Sequence, residues 1–576
     1  MNRGRTGEGL VLAFLFAMAL YHATLLGQGA LAFPDEHLYG NALDAAQAMS
    51  RGDFREAAAA LSGWGSRPAE YLSRLPAAFI QLAAQRRTGL SPLSPESLPI
   101  VTAQNVLVAF LLGLTFFRLS QKLLSPGAAI LATVAFSSLT VNHVWVRHVV
   151  PYDIALLAHL VALRMSLELP ADPPTPGFLR RALVAGGLAC FLAVSYPLAF
   201  HLHRSLGFPV ATGILLGICG LVFWLGRREP IGTFRVAVRA GLVSGLALAL
   251  YPAYYSFVPA LGIMILCSGR VDRVLSVSMA SVRNGVFFAA GAALVVSTFE
   301  VLARLGDVSY LGGARLLAST ITQGNFDEGF GFLVKWLWAL DGPTAIWVFP
   351  ASLLGTFLLI FRWSTKSTEG SAVARICLIL GALYSVYAFQ SVVLQRMVFT
   401  GRYARIYIPV MLWLAAYGLS RISHSRLRTA AFVCAGTISF GGFIQFAVAY
   451  REVGYPADAL YSLKIGYEDV VGENIRHEFA ILPNYNLPVK AVTAAAPYVT
   501  VPNDQRYVLF NFALPSLEAP ALPAPKRPGP TTLLYDALHF CSFASTAWEG
   551  YPAAKRSELV SRRFRLSVYQ PRTGGV

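Results

Sequence analysis

Long apolar runs constrain this chain more than any other feature. A stretch of about 17–25 apolar residues crosses a bilayer as a helix, because a helix satisfies its own backbone where no water can reach. Such runs lie near residues 10–32, 98–117, 126–144, 149–169, 180–201, 206–226, 236–252, 253–268, 284–304, 344–362, 373–393, 403–420 and 428–449, thirteen in all. The expected fold class is therefore an all-α polytopic membrane protein. Composition agrees: only 13% of residues are charged, against roughly 25% in soluble domains. That excludes an ordinary soluble enzyme and a disordered chain. Lys and Arg outnumber Asp and Glu by 47 to 30. In a soluble chain this excess would point to nucleic acid. Here the basic residues sit between apolar runs, where they set topology, and no polar domain combines a basic face with aromatics, so nucleic acid is not an expected partner.

The run from 240 to 267 reads as two spans, because Tyr251-Pro252-Ala253-Tyr254-Tyr255 and Pro259 suit a hairpin at the membrane surface. With the N-terminus in the cytoplasm, twenty Lys and Arg then fall in cytoplasmic loops and helix ends. Fusing the two helices moves three arginines outside and reverses every later loop, so the positive-inside bias favours the odd count. The chain divides into a transmembrane part, 1–449, and an extracytoplasmic part, 450–576. External loops are expected at 33–97, 143–148, 305–343 and 394–402. The C-terminal part is long enough for one small α/β domain, with strands expected at 506–512 and 564–570 and a linker at 515–530. Ala30-Leu31-Ala32 resembles a signal-peptide cleavage site, but the preceding apolar run is long for one, and we read it as a retained span. Five of the six cysteines lie in apolar segments and none forms a CxxC pair.

Three external motifs carry candidate chemistry. In Phe33-Pro34-Asp35-Glu36-His37, two carboxylates follow the first span directly, and charge beside hydrocarbon needs a reason. They are either functional or a solvated cap on an interfacial helix over 38–49. Asp153 stands at the external end of the fourth span after a very short turn, where a helix N-terminus also favours negative charge. In the segment 395–405, Arg396, Arg402 and Arg405 break the sidedness rule. Arginine forks suit phosphate, and lipid-headgroup snorkelling is the competing reading.

Together, Asp35-Glu36 after the first helix, Asp153 after a short external turn, and Gly401-Arg402-Tyr403 followed by Ile408-Pro409 resemble the GT-C superfamily of polytopic glycosyltransferases. The likeness is to the branch related to protein O-mannosyltransferases and aminoarabinose transferases. It covers most of the membrane region in layout, but only these short motifs in residues. The resemblance implies a GT-C-like membrane enzyme of the cell (inner or plasma) membrane. Such an enzyme moves a sugar from a polyprenyl-phosphate donor to a hydroxyl on a glycan, lipid or protein.

In that reading Asp35 is the general base, supported by Glu36, and displacement at the anomeric carbon is single and inverting. Arg402, then Arg396, with Tyr403, would bind the donor phosphate and stabilise the leaving charge. Asp153, His148 and His143 form an acceptor-binding or divalent-metal set, with interfacial histidines as the plainer alternative. Asp327 and Glu328, in a loop rich in glycine and aromatics, are the second acidic candidates. A transporter or flippase of lipid-linked sugars is the alternative, and a non-catalytic scaffold is the third reading.

Overall fold

The computed structural model describes residues 2–28, 36, 39–62, 68–169, 231–267, 269–271, 274–276, 279–313, 332–362, 375, 379–385, 401–451, 463, 470–473, 490–491, 507–512, 531–540 and 563–571. The described residues are mostly helical. Five described helices are long and apolar enough to cross a membrane, or six if one bent pair counts as a single span. The expected spans at 180–201 and 206–226, and most of that at 373–393, lie outside the described residues.

The chain opens with α1 (Asn2–Ala23). Four short helices follow: α2 (Tyr39–Ser50), α3 (Phe54–Leu61), α4 (Pro68–Leu72) and α5 (Leu75–Thr88). Asp53 caps α3 by accepting from Glu56 N at 2.8 Å. Gly89, left-handed at φ 74°, ends α5. Next come α6 (Leu98–Leu123), α7 (Pro126–Ser137), α8 (Thr140–Val146) and α9 (Tyr152–Leu167). Pro126 starts α7 at a position where its missing N–H costs nothing.

The single span expected at 126–144 is instead α7 and α8, bent by 52° at Leu139. Asp341 explains how the break is stabilised: its Oδ1 accepts from Thr140 N at 2.6 Å, at the start of α8. Asp341 itself has non-helical backbone angles (φ −128°, ψ 43°) and kinks its own helix just before Gly342-Pro343. Two broken helices are thus fastened to each other.

The run from 240 to 267 does break in the middle. Here α10 (Ile231–Leu250) and α11 (Phe257–Leu266) are separated by a short 3-10 turn at Pro252–Tyr254. A two-stranded hairpin, β1 (Gly269–Val271) and β2 (Val274–Ser276), precedes α12 (Met279–Leu305). Then follow α13 (Phe332–Arg362), α14 (Gly401–Ser420) and α15 (Ser425–Arg451).

Two pairs of helices meet backbone to backbone. A Cβ added at Gly241 on α10 would lie 2.0 Å from the Phe288 carbonyl oxygen of α12, and one at Gly291 would lie 2.5 Å from that of Val238. Gly355 on α13 and Gly418 on α14 make the same kind of approach. Small residues let helices pack this closely in lipid, where association depends on direct contact rather than on excluding water.

The C-terminal strands form a mixed five-stranded sheet in the order β4 (Lys490–Ala491), β3 (Val470–Glu473), β5 (Tyr507–Phe512), β7 (Arg563–Pro571), β6 (Thr531–Phe540). β3 runs parallel to β4 and β5, and β7 runs antiparallel to β5 and β6.

Candidate functional site

One cluster of buried polar residues in the helical part surrounds a turn, Arg147 to Pro151, between α8 and α9. A turn buried among helices leaves carbonyls that need donors. Asn105, about two turns into apolar α6, supplies two: its Nδ2 donates to the carbonyls of Val146 at 3.1 Å and His148 at 2.7 Å. Arg74, between α4 and α5, donates to Asn105 Oδ1 at 2.6 Å and also to the Val150 carbonyl. Arg147 Nε donates to the Gln28 carbonyl at 3.1 Å, joining the turn to the residues after α1.

Two carboxylates flank this turn. Glu36 is fully buried; its Oε2 lies 3.0 Å from His148 Nδ1, and its Oε1 accepts from the Val149 backbone N–H. Asp153, in the first turn of α9, is paired with Arg405 of α14, and Arg405 Nη2 also donates to Asn142 Oδ1 at 3.1 Å. Both members of this pair are buried. A buried ion pair gains Coulomb energy against a large desolvation penalty, so its worth lies in fixing geometry more than in net stability.

Burial also acts on the loop side. It pulls Arg74 down to about 10, against the opposing influence of Tyr39, Glu70, Asp153 and Glu36, so Arg74 still carries its charge at neutral pH. Burial pushes the Tyr39 phenol up, keeping it neutral as it donates to Gln81 Oε1.

The sequence candidates are distributed as follows. Glu36, His148 and Asp153 come together at the turn, and the arginine that reaches them is Arg405. Arg402 and Tyr403 stand in the first turn of α14, one helical turn before Arg405, with side chains outside the described residues. Asp35, Arg396, Asp327 and Glu328 also lie outside them. His143 does not join His148 and Asp153 in one ligand set. It is bonded to His22 of α1, while His148 is bonded to Glu36 and Asp153 to Arg405. Among the described residues no group of three His, Cys, Asp or Glu side chains is placed to hold a metal.

Beside Asp153 lies a cavity of about 40 Å³, too small for a sugar. Arg74, Asn105, Asn142, His22 and Asp341 were not candidates by sequence. Asn105 and His22 carried a readable signal, since a polar side chain inside an apolar span marks a functional site by default. Arg74 carried none, being one basic residue of many in a polar stretch. No family model matches this chain, and no curated protein matches it.

Proposed function

We propose that the protein is a membrane glycosyltransferase of GT-C layout that transfers a sugar from a polyprenyl-phosphate donor to an acceptor hydroxyl on the extracytoplasmic face. In this reading thirteen spans precede an extracytoplasmic α/β domain at 450–576, and the N-terminus is cytoplasmic. The observation that carries the proposal is the meeting of early carboxylates with a late arginine: Glu36 and Asp153 flank one buried turn, and Arg405, from the arginine-bearing 395–405 segment, reaches it.

The pairings divide the labour. Glu36, held by His148 and the Val149 N–H, anchors the segment that follows α1. Asp35, the residue before it in the sequence, acts as general base on the acceptor hydroxyl. Asp153 neutralises and orients Arg405, fixing the start of α14, so that Arg402, with Arg396 and Tyr403, meets the donor phosphate. The hydroxyl oxygen attacks the anomeric carbon as the bond to the phosphate oxygen breaks, inverting that centre. The phosphate departs with the electron pair, stabilised by the arginines.

The test is transfer of labelled sugar from a polyprenyl-phosphate donor by the purified full-length protein in nanodiscs. Asp35→Asn is expected to abolish transfer with the fold intact; normal turnover by that variant overturns the base assignment. One observation favours a second reading, a flippase of lipid-linked sugars: the mutually fastened breaks at Leu139 and Asp341 resemble the discontinuous helices of transporters. Movement of labelled lipid-sugar across vesicles without a new glycosidic bond would support it instead.

A further inference from the structure

Helix α6 supplies a depth scale. Its uncharged stretch from Leu98 to Phe117, ending just before Arg118, is about 30 Å long, the thickness of a hydrocarbon core. In the topology proposed above, Leu98 stands at the outer boundary of that core. Asn105, two turns on, then stands about 10 Å inside it.

The segment expected to be an external loop, 33–97, is bonded to α6 at two levels. At the outer level, Gln81 of α5 donates from Nε2 to the Ser97 carbonyl at 2.8 Å. At the inner level, the Ser73 carbonyl accepts from Gln104 Nε2 at 2.7 Å, and Arg74 donates to Asn105 Oδ1 at 2.6 Å. The spacing from Arg74 to Gln81 on α5 nearly equals that from Asn105 back to Ser97 on α6. So α5 runs antiparallel beside the outer part of α6, starting at the level of Asn105 and passing that of Leu98. Arg86 and Arg87, in its last turn, fall about 8 Å further out. The chain before α4 is also at the outer end. Gly306, just past the end of α12, meets α3, where an added Cβ would lie 2.8 Å from Ala59 Cα.

The two faces of α5 differ to match. Ala77, Ala78 and Gln81 are buried, as is Arg74 before them. Pro76, Phe79, Ile80 and Ala83 are exposed at helical spacing, Ile80 to 57%. Leu72 of α4 is exposed as well. No charged residue occurs between Arg74 and Arg86. On α6, Gln104 lies one turn from Leu107, which with Leu111 is exposed as expected of a span facing lipid. The exposed side of α5 therefore borders that of α6. Arg74 is the one charge of this segment at depth, and charge there needs partners. It has the Asn105 and Val150 oxygens, and Glu70 acts on it electrostatically.

We propose that residues 72–87 are a re-entrant segment of the outer leaflet. Its apolar face, Leu72, Phe79 and Ile80, takes lipid acyl chains. Arg86 and Arg87 stand at the height of the lipid phosphates, where basic side chains anchor a helix end. Its inner face carries Arg74 onto the 147–151 turn. The loop expected at 33–97 is then external only on either side of this segment. The proposal takes the orientation of the spans from the preceding reading and nothing from sugar transfer.

The test is spin labelling of the full-length protein in phosphatidylcholine nanodiscs, with its native cysteines replaced by alanine. Labels go on Leu72→Cys, Phe79→Cys and Ile80→Cys, with Leu107→Cys as the lipid reference and Arg51→Cys, at an exposed ion pair, as the water reference. Oxygen collects among acyl chains and a nickel chelate stays in water. The three labels are expected to relax through oxygen in preference to nickel, as at Leu107, with the order reversed at Arg51. Nickel preference at Phe79 and Ile80 overturns the proposal. Protection from both reagents also overturns it, because another protein surface then covers the face. If the cysteine-free protein folds poorly, the unmodified protein in nanodiscs with a diazirine-bearing acyl chain decides. Photo-adducts are expected on residues 72–80 as well as on 107–111, and adducts on α6 without any on α5 overturn the assignment. Neither measurement reads sugar transfer, so failure of the transferase reading leaves the result standing.

Discussion

The α10–α12 interface and the 147–151 turn are both buried, and they hold together by opposite means. The first is a glycine seam: Gly241 and Gly291 bring two backbones into contact. The second brings Glu36, Arg74, Arg147, Asp153 and Arg405 out of water around one loop. Packing alone holds a helix pair together in lipid, so the seam shows what stability requires. The turn carries more than stability requires. Buried ion pairs are often no better than apolar side chains of the same volume, and ionisable groups within a membrane bundle mark function by default. The contrast separates a region held by packing alone from the region where the proposed chemistry would lie.

The strongest way to break that contrast is to unpair a charge. Arg405→Ala leaves Asp153 buried without its partner, an expected loss of about 3–5 kcal/mol, read from unfolding of the purified protein. The Arg405→Ala, Asp153→Ala double variant is expected to recover part of this. If the two single losses simply add, the residues are not coupled. Next comes the seam. Gly241→Leu forces α10 and α12 apart and is expected to destabilise by about 1–3 kcal/mol or more, while transfer per folded molecule stays unchanged. A selective loss of activity there would erase the distinction between the two regions.

Asn105→Ala removes two donors from the turn. The expected cost is about 1–3 kcal/mol, with a fall in activity larger than that of any seam variant of equal stability. The smallest effect belongs to Lys122, whose ion pair with Glu168 is partly exposed at both ends. Lys122→Ala should change stability by less than about 1 kcal/mol, setting the scale for an exposed pair in the same protein.

Much of the helical frame was legible in the sequence. The expected runs at 98–117, 149–169, 284–304, 403–420 and 428–449 all fall on described helices, because an apolar run of that length has few other ways to satisfy its backbone. The break after Leu250 could be read from Tyr251-Pro252 and the tyrosines beyond, whereas the second span expected at 253–268 is a helix of only 10 residues, Phe257–Leu266. The strands at 507–512 and 563–571 lie within a residue or so of their expected limits.

The break at Leu139 could not be read. Thr133 to Val146 contains no proline or glycine, and the device that stabilises the bend, Asp341, lies 201 residues away from Thr140. The site was half legible for the same reason. Local rules identified Glu36, His148 and Asp153 as unusual for where they stand. Which partner each would take depended on long-range packing: Arg405 rather than a neighbouring histidine for Asp153, and His22 rather than His148 as the companion of His143. Arg74 was invisible because its role comes from burial, which one basic residue in a polar loop does not announce.

The most direct measurement is a structure of the full-length protein with a polyprenyl-phosphate sugar bound. The account predicts the phosphate at the first turn of α14, beside Arg402, and the sugar's anomeric carbon facing Asp35, with Asp153 and Arg405 still paired behind them. A donor bound away from both segments, or a phosphate at the opposite end of α14, would contradict it.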